Sequence, residues 1–262
     1  MTEHSKAILS IIIPIGPEET AWEGLLSDLI RQSQPKDSIE IILSATESEP
    51  LTFHEKRSAI DIPMKWVVGQ KGRATQLNRG ASVASGEFLW FLHADTRLSD
   101  SALSSLIGQL HREDKSLFYF NLRFLNDGPW LTILNETGVW LRSHLLGLPF
   151  GDQGFALKSI LFLELGRFSE NAEYGEDHLF VWSARRRGIR LRALGIPLYT
   201  SARRYRQKGW LRTTFRHMGL TFRQAIPEWF KLLEERSERK EQNIHQSHRV
   251  SGSGVQGEGK MP

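Results

Sequence analysis

The chain has 262 residues, 40% of them hydrophobic, enough to fill the core of one large α/β domain or two small ones. It has no Cys, which excludes disulfides, thiolate catalysis and Cys-ligated zinc, and suits a reducing compartment. Its net charge of +4 is unevenly spread: residues 1–181 carry 16 Lys/Arg against 24 Asp/Glu, whereas residues 182–240 carry 16 against 4, so the C-terminal section is built for an anionic partner.

Residues 7–15 form the first apolar run. At about half the length that spans a bilayer, and with no small-residue cleavage site, it predicts neither a transmembrane helix nor a signal peptide. Its β-branched core, ended by Pro14 and Gly16, predicts a buried strand over 8–15 instead. Pro17-Glu18-Glu19-Thr20 reads as the start of a helix reaching Gln32, with Trp22, Leu25, Leu26, Leu29 and Ile30 on its apolar face. Strands follow over 39–43 and 64–68.

Gly69-Gln70-Lys71-Gly72-Arg73 then leads into a helix carrying Asn78 and Gly80. Free amides and Arg73 at a positive helix end make a workable phosphate contact, although glycines also serve a plain tight turn. Residues 87–92 read as a strand buried on both faces, and the chain is organised around it. It ends in His93-Ala94-Asp95-Thr96. Alternation puts His93 and Asp95 on one side, where they can face one divalent cation or one polar ligand. Ligands in open α/β sheets sit outside the carboxyl ends of strands, which favours a functional cluster; an ordinary Asx turn at Asp95-Thr96 is the competing account. The alternation of strands and helices predicts a mostly parallel central sheet flanked by helices.

A helix is expected from Ser99-Asp100 to near residue 111, and a strand over 117–124. Residues 130–145 are aromatic and amphipathic, expected as a helix packed on the body or walling an acceptor site. Residues 148–157 read as a polar loop running into a strand, with Asp152 and Gln153 set between glycines. Glu176-Asp177 open a helix that closes on Arg185-Arg186-Arg187 and Gly188. Acids at a helix N-terminus commonly serve only to offset the helix dipole, a contribution of about 0.3–1 kcal/mol each. Short strands are predicted over 190–194 and 197–199, and Arg203-Arg204 gather two guanidiniums suited to clamping phosphate. An amphipathic helix kinked at Pro227 is expected over 210–235, its apolar face packed on the sheet or, in the competing account, resting at an anionic bilayer. Residues 240–262 are expected to be disordered.

Taken in order, Ser10-Ile11-Ile12-Ile13-Pro14, Gly72-Arg73-Ala74 with Asn78 and Gly80, Phe91-Leu92-His93-Ala94-Asp95-Thr96, Pro149 to Gly154, Glu176-Asp177 and Ser201 to Tyr205 resemble the inverting glycosyltransferases of family 2. The likeness is nearest to a bacterial subgroup reading Phe-Leu-His-Ala-Asp-Thr, some of it tied to arsenosugar biosynthesis, and it covers residues 8–225. It implies an α/β, GT-A-like nucleotide-diphospho-sugar transferase fold with a C-terminal amphipathic helix. The implied division is a catalytic domain over 1–205, a basic helical segment packed on it over 206–239, and a disordered tail. By the same resemblance Asp95 holds a divalent metal, Mn²⁺ or Mg²⁺, that bridges the donor's diphosphate. Asp177 is the base acting on an acceptor hydroxyl, with Glu176 beside it. Pro14, Arg73, Asn78, His93, Arg203 and Arg204 face the nucleotide-sugar donor, and Asp152 and Gln153 the acceptor, a small molecule or a lipid-linked one. Two departures stand out. Gly16-Pro17-Glu18-Glu19 replaces the usual Asn-Glu after the first strand, and Ser44-Ala45-Thr46-Glu47 lacks the Asp that reads the nucleobase. The expected location is cytoplasmic, with peripheral contact at the inner face of the membrane, and no nucleic acid is expected as a partner. The alternative is a member of this fold without activity, serving as a binding or scaffold module.

Overall fold

The sheet is built outward from β1 (Leu9–Ile15), whose Ile11, Ile12 and Ile13 are fully buried. The computed structural model describes residues 7–34, 38–110, 112 and 115–252, without the side chains of Arg204, Lys208, His217, Arg236 and 238–252. β1 pairs in parallel with β2 (Ile39–Ala45) and β4 (Phe88–Phe91), and β2 pairs in parallel with β3 (Met64–Val68). The remaining strands are β5 (Arg97–Leu98), β6 (Ser116–Phe124), β7 (Phe155–Lys158) and β8 (Arg190–Thr200). The full order is β3-β2-β1-β4-β7-β6-β8-β5. β7 enters antiparallel between β4 and β6, β6 pairs in parallel with β8, and β5 lies antiparallel on β8, so the sheet is mixed.

Alternation along the strands feeds a core on each face. Ile11, Ile13 and Trp90 pack with Trp22, Phe53 and Leu103 on one side, and Ile12, Leu89 and Phe91 with Leu77, Phe162 and Trp182 on the other. The first side is covered by α1 (Trp22–Gln32), α2 (Leu51–Ala59) and α4 (Ala102–Leu110). The second is covered by α3 (Arg73–Ser82), α6 (Ser159–Glu164) and α7 (Glu176–Arg186). α5 (Thr132–His144), α8 (Arg203–Lys208) and α9 (Trp210–Gly252) complete the fold. α3 lies flush on β1, because a Cβ at Gly80 would come within 2.5 Å of Ile12.

Several elements differ from the sequence expectation. Pro17 to Thr20 form a turn with Glu18 at φ 55°, and the first helix starts only at Trp22. α2, β5 and α6 were not foreseen, being too short to show a clear apolar period. The two closing strands are one, β8, with a register shift where Gly195 adopts φ 74°. Arg203 and Arg204 open a helix rather than end a strand. α9 continues past 239 to Gly252. Its last turns cover 240–252, part of the stretch expected to be disordered; Lys240-Glu241-Gln242 are good helix formers, and no Gly or Pro interrupts before Gly252. Residues 253–262 lie outside the described residues.

At the sheet edge opposite the carboxyl ends of the parallel strands, Glu40 ties three strands and a turn together. Its Oε1 accepts from Ser10 Oγ (2.6 Å), Ser85 N (2.5 Å) and Ser85 Oγ (2.8 Å), and its Oε2 meets Lys65 Nζ at 2.8 Å. Burial pushes the carboxyl up, but Lys65 and the donors of Ser10 and Ser85 outweigh it and hold the pKa at about 2. A carboxyl lowered from 4.5 to about 2 stabilises the fold fully above pH 4.5 and loses that contribution as pH falls toward 2. Glu40→Ala is expected to lower the unfolding free energy at neutral pH by about 2–4 kcal/mol. In urea titrations at successively lower pH, the gap between wild type and variant should narrow over that acid range.

Candidate active site

β4 stops opposite Ile12, so the last residues of β1 run on without a neighbour on that side. Successive strands step away from this point in opposite directions, β2 and β3 one way and β4 the other. Such a switch point opens a crevice at the carboxyl ends of the strands. Pro14 lies in the overhang, still paired with Ser44 of β2. Lacking an N–H, it leaves no donor stranded there. Past Phe91 the chain turns at once, with Thr96 N donating to His93 O (3.1 Å), which sets His93 and Asp95, both half-buried, at the crevice mouth. This backbone turn over 93–96 is what carries the two side chains.

Arg73, the first residue of α3, reaches across the crevice. Its Nη2 donates to His93 Nε2. A guanidinium has no acceptor, so Arg73 donates and His93 Nε2 accepts. Arg73 Nε lies 3.2 Å from Glu176 Oε1, close enough for an ion pair but not aligned as a hydrogen bond, and Nη2 lies 4.0 Å from Asp177 Oδ2. Asp177 is fixed by the main chain: Oδ2 accepts from Gly151 N (2.6 Å) and Oδ1 from His178 N (2.8 Å). A Cβ at Gly151 would sit 2.8 Å from both Arg73 Nη2 and Asp177 Oδ2, so any larger residue there displaces one of these side chains. Glu176 and Asp177 also occupy the first turn of α7, after Gly175 in the left-handed region. Offsetting the helix dipole and facing Arg73 are thus one placement.

Beside them lies a second polar group. One turn of 3-10 helix (Gly151–Gln153) carries Asp152, whose Oδ1 is buried without a hydrogen-bond partner. Burial raises the Asp152 pKa; Arg142 and Arg73 pull it down, and Asp177 and Asp95 push it further up. Arg142, from α5, stacks over Phe150 with its guanidinium carbon 3.3 Å from the ring centroid and donates to Gln153 Oε1 (3.3 Å). Burial lowers its pKa, against the pull of Asp152 and Asp177. Tyr205 of α8 shares the electrostatics: burial, reinforced by Asp152, pushes its hydroxyl up to about 12.

Not every residue expected at the site touches the crevice. Gln153 is fully buried, accepting from Phe150 N (3.1 Å) and donating to Phe120 O (2.9 Å), so it shapes the turn that presents Asp152. Asn78 binds both polar groups of Phe168, with its Nδ2 also 2.7 Å from Glu170 Oε1, and so holds the loop after α6. Arg203 is exposed, and the Arg204 side chain is outside the described residues. Sequence reasoning missed Arg142 and Tyr205, and it missed Gln76 and Arg79. Gln76 Nε2 donates to Ile15 O (2.6 Å) and Ser44 O (2.7 Å); Arg79 donates to Ser44 Oγ (3.1 Å), Ala45 O (2.8 Å) and Gln70 O (3.1 Å). Arg73, Gln76 and Arg79 stand three residues apart, and that spacing of long polar side chains on a packed helix was the available signal.

Among the described residues no three His, Asp or Glu side chains converge as a ready-made metal cage. Mg²⁺-type ions rarely use one. They bind through one or two carboxylates and complete their shell with substrate phosphates and water. Asp95 at the crevice mouth, close enough to raise the Asp152 pKa, fits a cation that arrives with a diphosphate.

The family model described as Glycosyl transferase family 2 matches residues 10–230. No curated protein matches the chain by sequence. Among solved structures, TarS 1-349 of S. aureus in complex with UDP aligns over 74% of this chain and 60% of that one, with 19% identity and a TM-score of 0.59. The mannosyltransferase PcManGT from Pyrobaculum calidifontis, in complex with GDP-Man and Mn²⁺, aligns over 88% and 69%, with 16% identity and a TM-score of 0.65. GalNAc-T7 with UDP, GalNAc and Mn²⁺ aligns over 76% and 44%, with 16% identity and a TM-score of 0.56. The chain spans less than two thirds of the TarS chains it matches, and at these identities the likeness establishes the fold.

If Gln153 positions the turn rather than touching an acceptor, its loss must register as stability. Gln153→Leu would strand Phe150 N–H, Phe120 C=O and one Arg142 donor, and is expected to lower the unfolding free energy by about 2–4 kcal/mol. Urea denaturation checks this; a variant as stable as wild type would return Gln153 to a contact role.

Proposed function

The chain belongs to glycosyl transferase family 2, and on that premise we propose that it moves a sugar from a nucleotide-sugar donor to an acceptor hydroxyl, with inversion and metal assistance. The observation that carries the reading is the meeting of Arg73 with His93, Glu176 and Asp177 at the switch point of the sheet. One charged junction there joins groups suited to a departing diphosphate and to an incoming hydroxyl.

In this mechanism Asp177 accepts the proton of the acceptor hydroxyl. Two backbone N–H groups orient it, and each carboxylate oxygen keeps a further lone pair for that proton. The freed oxygen bonds to the anomeric carbon on the face opposite the diphosphate, and the carbon–oxygen bond to phosphate breaks with its electron pair leaving on the nucleoside diphosphate. Direct attack without a covalent sugar intermediate inverts the centre. Arg73 lies where negative charge grows on the leaving group. A divalent ion, Mn²⁺ or Mg²⁺, held by Asp95 with His93 nearby, would add to that charge neutralisation. Glu176 keeps Arg73 oriented, and Asp152 faces the acceptor. Pro14, Arg203 and Arg204 border the donor, whereas Asn78 acts on it only through the loop it holds.

The Phe91 to Thr96 run supports membership of the bacterial subgroup tied to arsenosugar biosynthesis. On this reading the enzyme works in the cytoplasm on a small or lipid-linked acceptor, with peripheral contact at the inner face of the membrane. No helix among the described residues is long and apolar enough to cross a membrane.

Two variants test the assignment. Asp95→Ala is expected to abolish the metal-dependent part of nucleoside diphosphate binding, measured by calorimetry in Mn²⁺ and in EDTA; equal affinity in both would remove the metal from the mechanism. Asp177→Asn is expected to slow transfer about 10²–10⁴-fold while leaving donor affinity within a few-fold. An equal loss of donor binding would reduce Glu176-Asp177 to dipole compensation, and donor binding by wild type with no transfer to any acceptor would favour the scaffold alternative.

A further inference from the structure

α9 is attached to the body largely by polar side chains, with Leu232 buried in the second core and Trp229 edge-on to Trp182. Gln224 Oε1 accepts from His178 Nδ1 (2.7 Å), Glu228 pairs with Arg186, and Thr214 meets Asn135 of α5 (3.1 Å). Glu228 and Thr213 are buried. His178 is committed to this seam: its Nε2 accepts from Trp182 Nε1 (3.0 Å), so the proton on Nδ1 points at Gln224. The apolar side of the same helix faces outward. Leu211, Phe215, Met218, Phe222, Ile226 and Phe230 recur at three- and four-residue steps, and all are exposed, Leu211 at 61%, Phe215 at 65% and Phe222 at 59%.

α5 is turned the same way. Its buried residues are Thr132 and Ser143, while Ile133, Leu134, Trp140 and Leu141 are exposed. Asn135 joins the two helices, accepting from Trp210 Nε1 as well as donating to Thr214. Two neighbouring helices therefore hold polar faces inward and apolar faces outward. An apolar stripe of this size on a surface helix marks an interaction site.

Charge selects the occupant. Between 203 and 223 the sequence holds six Arg and one Lys and no Asp or Glu, and Arg212, Arg216 and Arg223 stand exposed among the stripe residues. A second copy of the chain would bring this patch against itself, cation to cation, since a two-fold interface repeats the same surface. An anionic bilayer meets both halves of the pattern: apolar side chains enter the headgroup boundary, and arginines meet lipid phosphates. We infer that the outward faces of α9 and α5 are a docking surface for an anionic lipid bilayer. This deepens the peripheral contact in the proposed function, and places the acceptor-side group of Asp152, Arg142 and Tyr205 beside the membrane, because Tyr205 sits in α8, which runs directly into α9.

The test is sedimentation of the full chain with sucrose-loaded vesicles of phosphatidylcholine alone and of equal parts phosphatidylcholine and phosphatidylglycerol. The expected result is roughly tenfold more binding to the anionic vesicles, falling in high salt. Phe215→Ser with Phe222→Ser should reduce binding several-fold, as should Arg212→Glu with Arg216→Glu. All four side chains are exposed, and circular dichroism verifies that the helix persists. No binding at low salt overturns the inference, as does binding unchanged in both double variants. A dimer in light scattering that the Phe variant dissolves, without vesicle binding, would assign the face to a second copy and also overturn it. Vesicle binding is read without donor or acceptor, so its failure stays distinct from a failure of glycosyl transfer.

Discussion

The carboxyl edge of the sheet depends on where one guanidinium sits. Arg73 faces an imidazole from the end of β4 and two carboxylates from the start of α7. Nothing local holds it there; the position comes from how α3 lies on the sheet. Gly80 lets the helix touch Ile12, and Gln76 and Arg79, one and two turns on, bind the carbonyl ends of β1 and β2. A helix pinned at three points delivers its first side chain to a fixed place. Without that charge, Glu176 and Asp177 would stand beside Asp152, whose pKa is already raised by burial and pushed up further by Asp177 and Asp95.

The two aspartates of the crevice show how environment divides one residue type into different parts. Asp177 is held by two main-chain N–H groups and faces a cation. Asp152 has a buried oxygen with no partner and a guanidinium that burial itself weakens. Paired carboxyls in unlike surroundings are the arrangement acid–base chemistry uses. Both depend on the same turn, because Gly151 carries the N–H that fixes Asp177 and is followed directly by Asp152. The buried amide of Gln153 then braces that turn against β6.

Much of this was legible in the sequence where a single physical signal dominates. Continuous β-branched or aromatic runs located β1, β3 and β4, and a glycine before an acidic pair located the start of α7. The elements α2, β5 and α6 are too short to show an apolar period, and tertiary contacts decide them. The crevice residues were found by chemistry and order, but their division of labour was not. Gln153 and Asn78 read as polar groups near a site, and only packing shows their amides to be occupied by main-chain partners. Arg142 was hidden because a charge inside an aromatic stretch ordinarily reaches for solvent, whereas this one lies on Phe150.

The C-terminal helix shows what a hydrophobic period leaves open. The period tells which residues share a face, and it is silent on whether that face turns inward. The choice belongs to the surface beneath. Under α9 that surface offers His178, Arg186 and Asn135, each with a donor or acceptor that would cost free energy if covered by Phe or Leu. Covering them with Gln224, Glu228 and Thr214 satisfies those groups and turns the apolar stripe outward. Leu232, buried in the second core, and Trp229, edge-on to Trp182, add the apolar contacts on that same side. The exposed stripe is therefore a consequence of polar groups on α7 and α5, and the cations beside it make the outward face both apolar and positive.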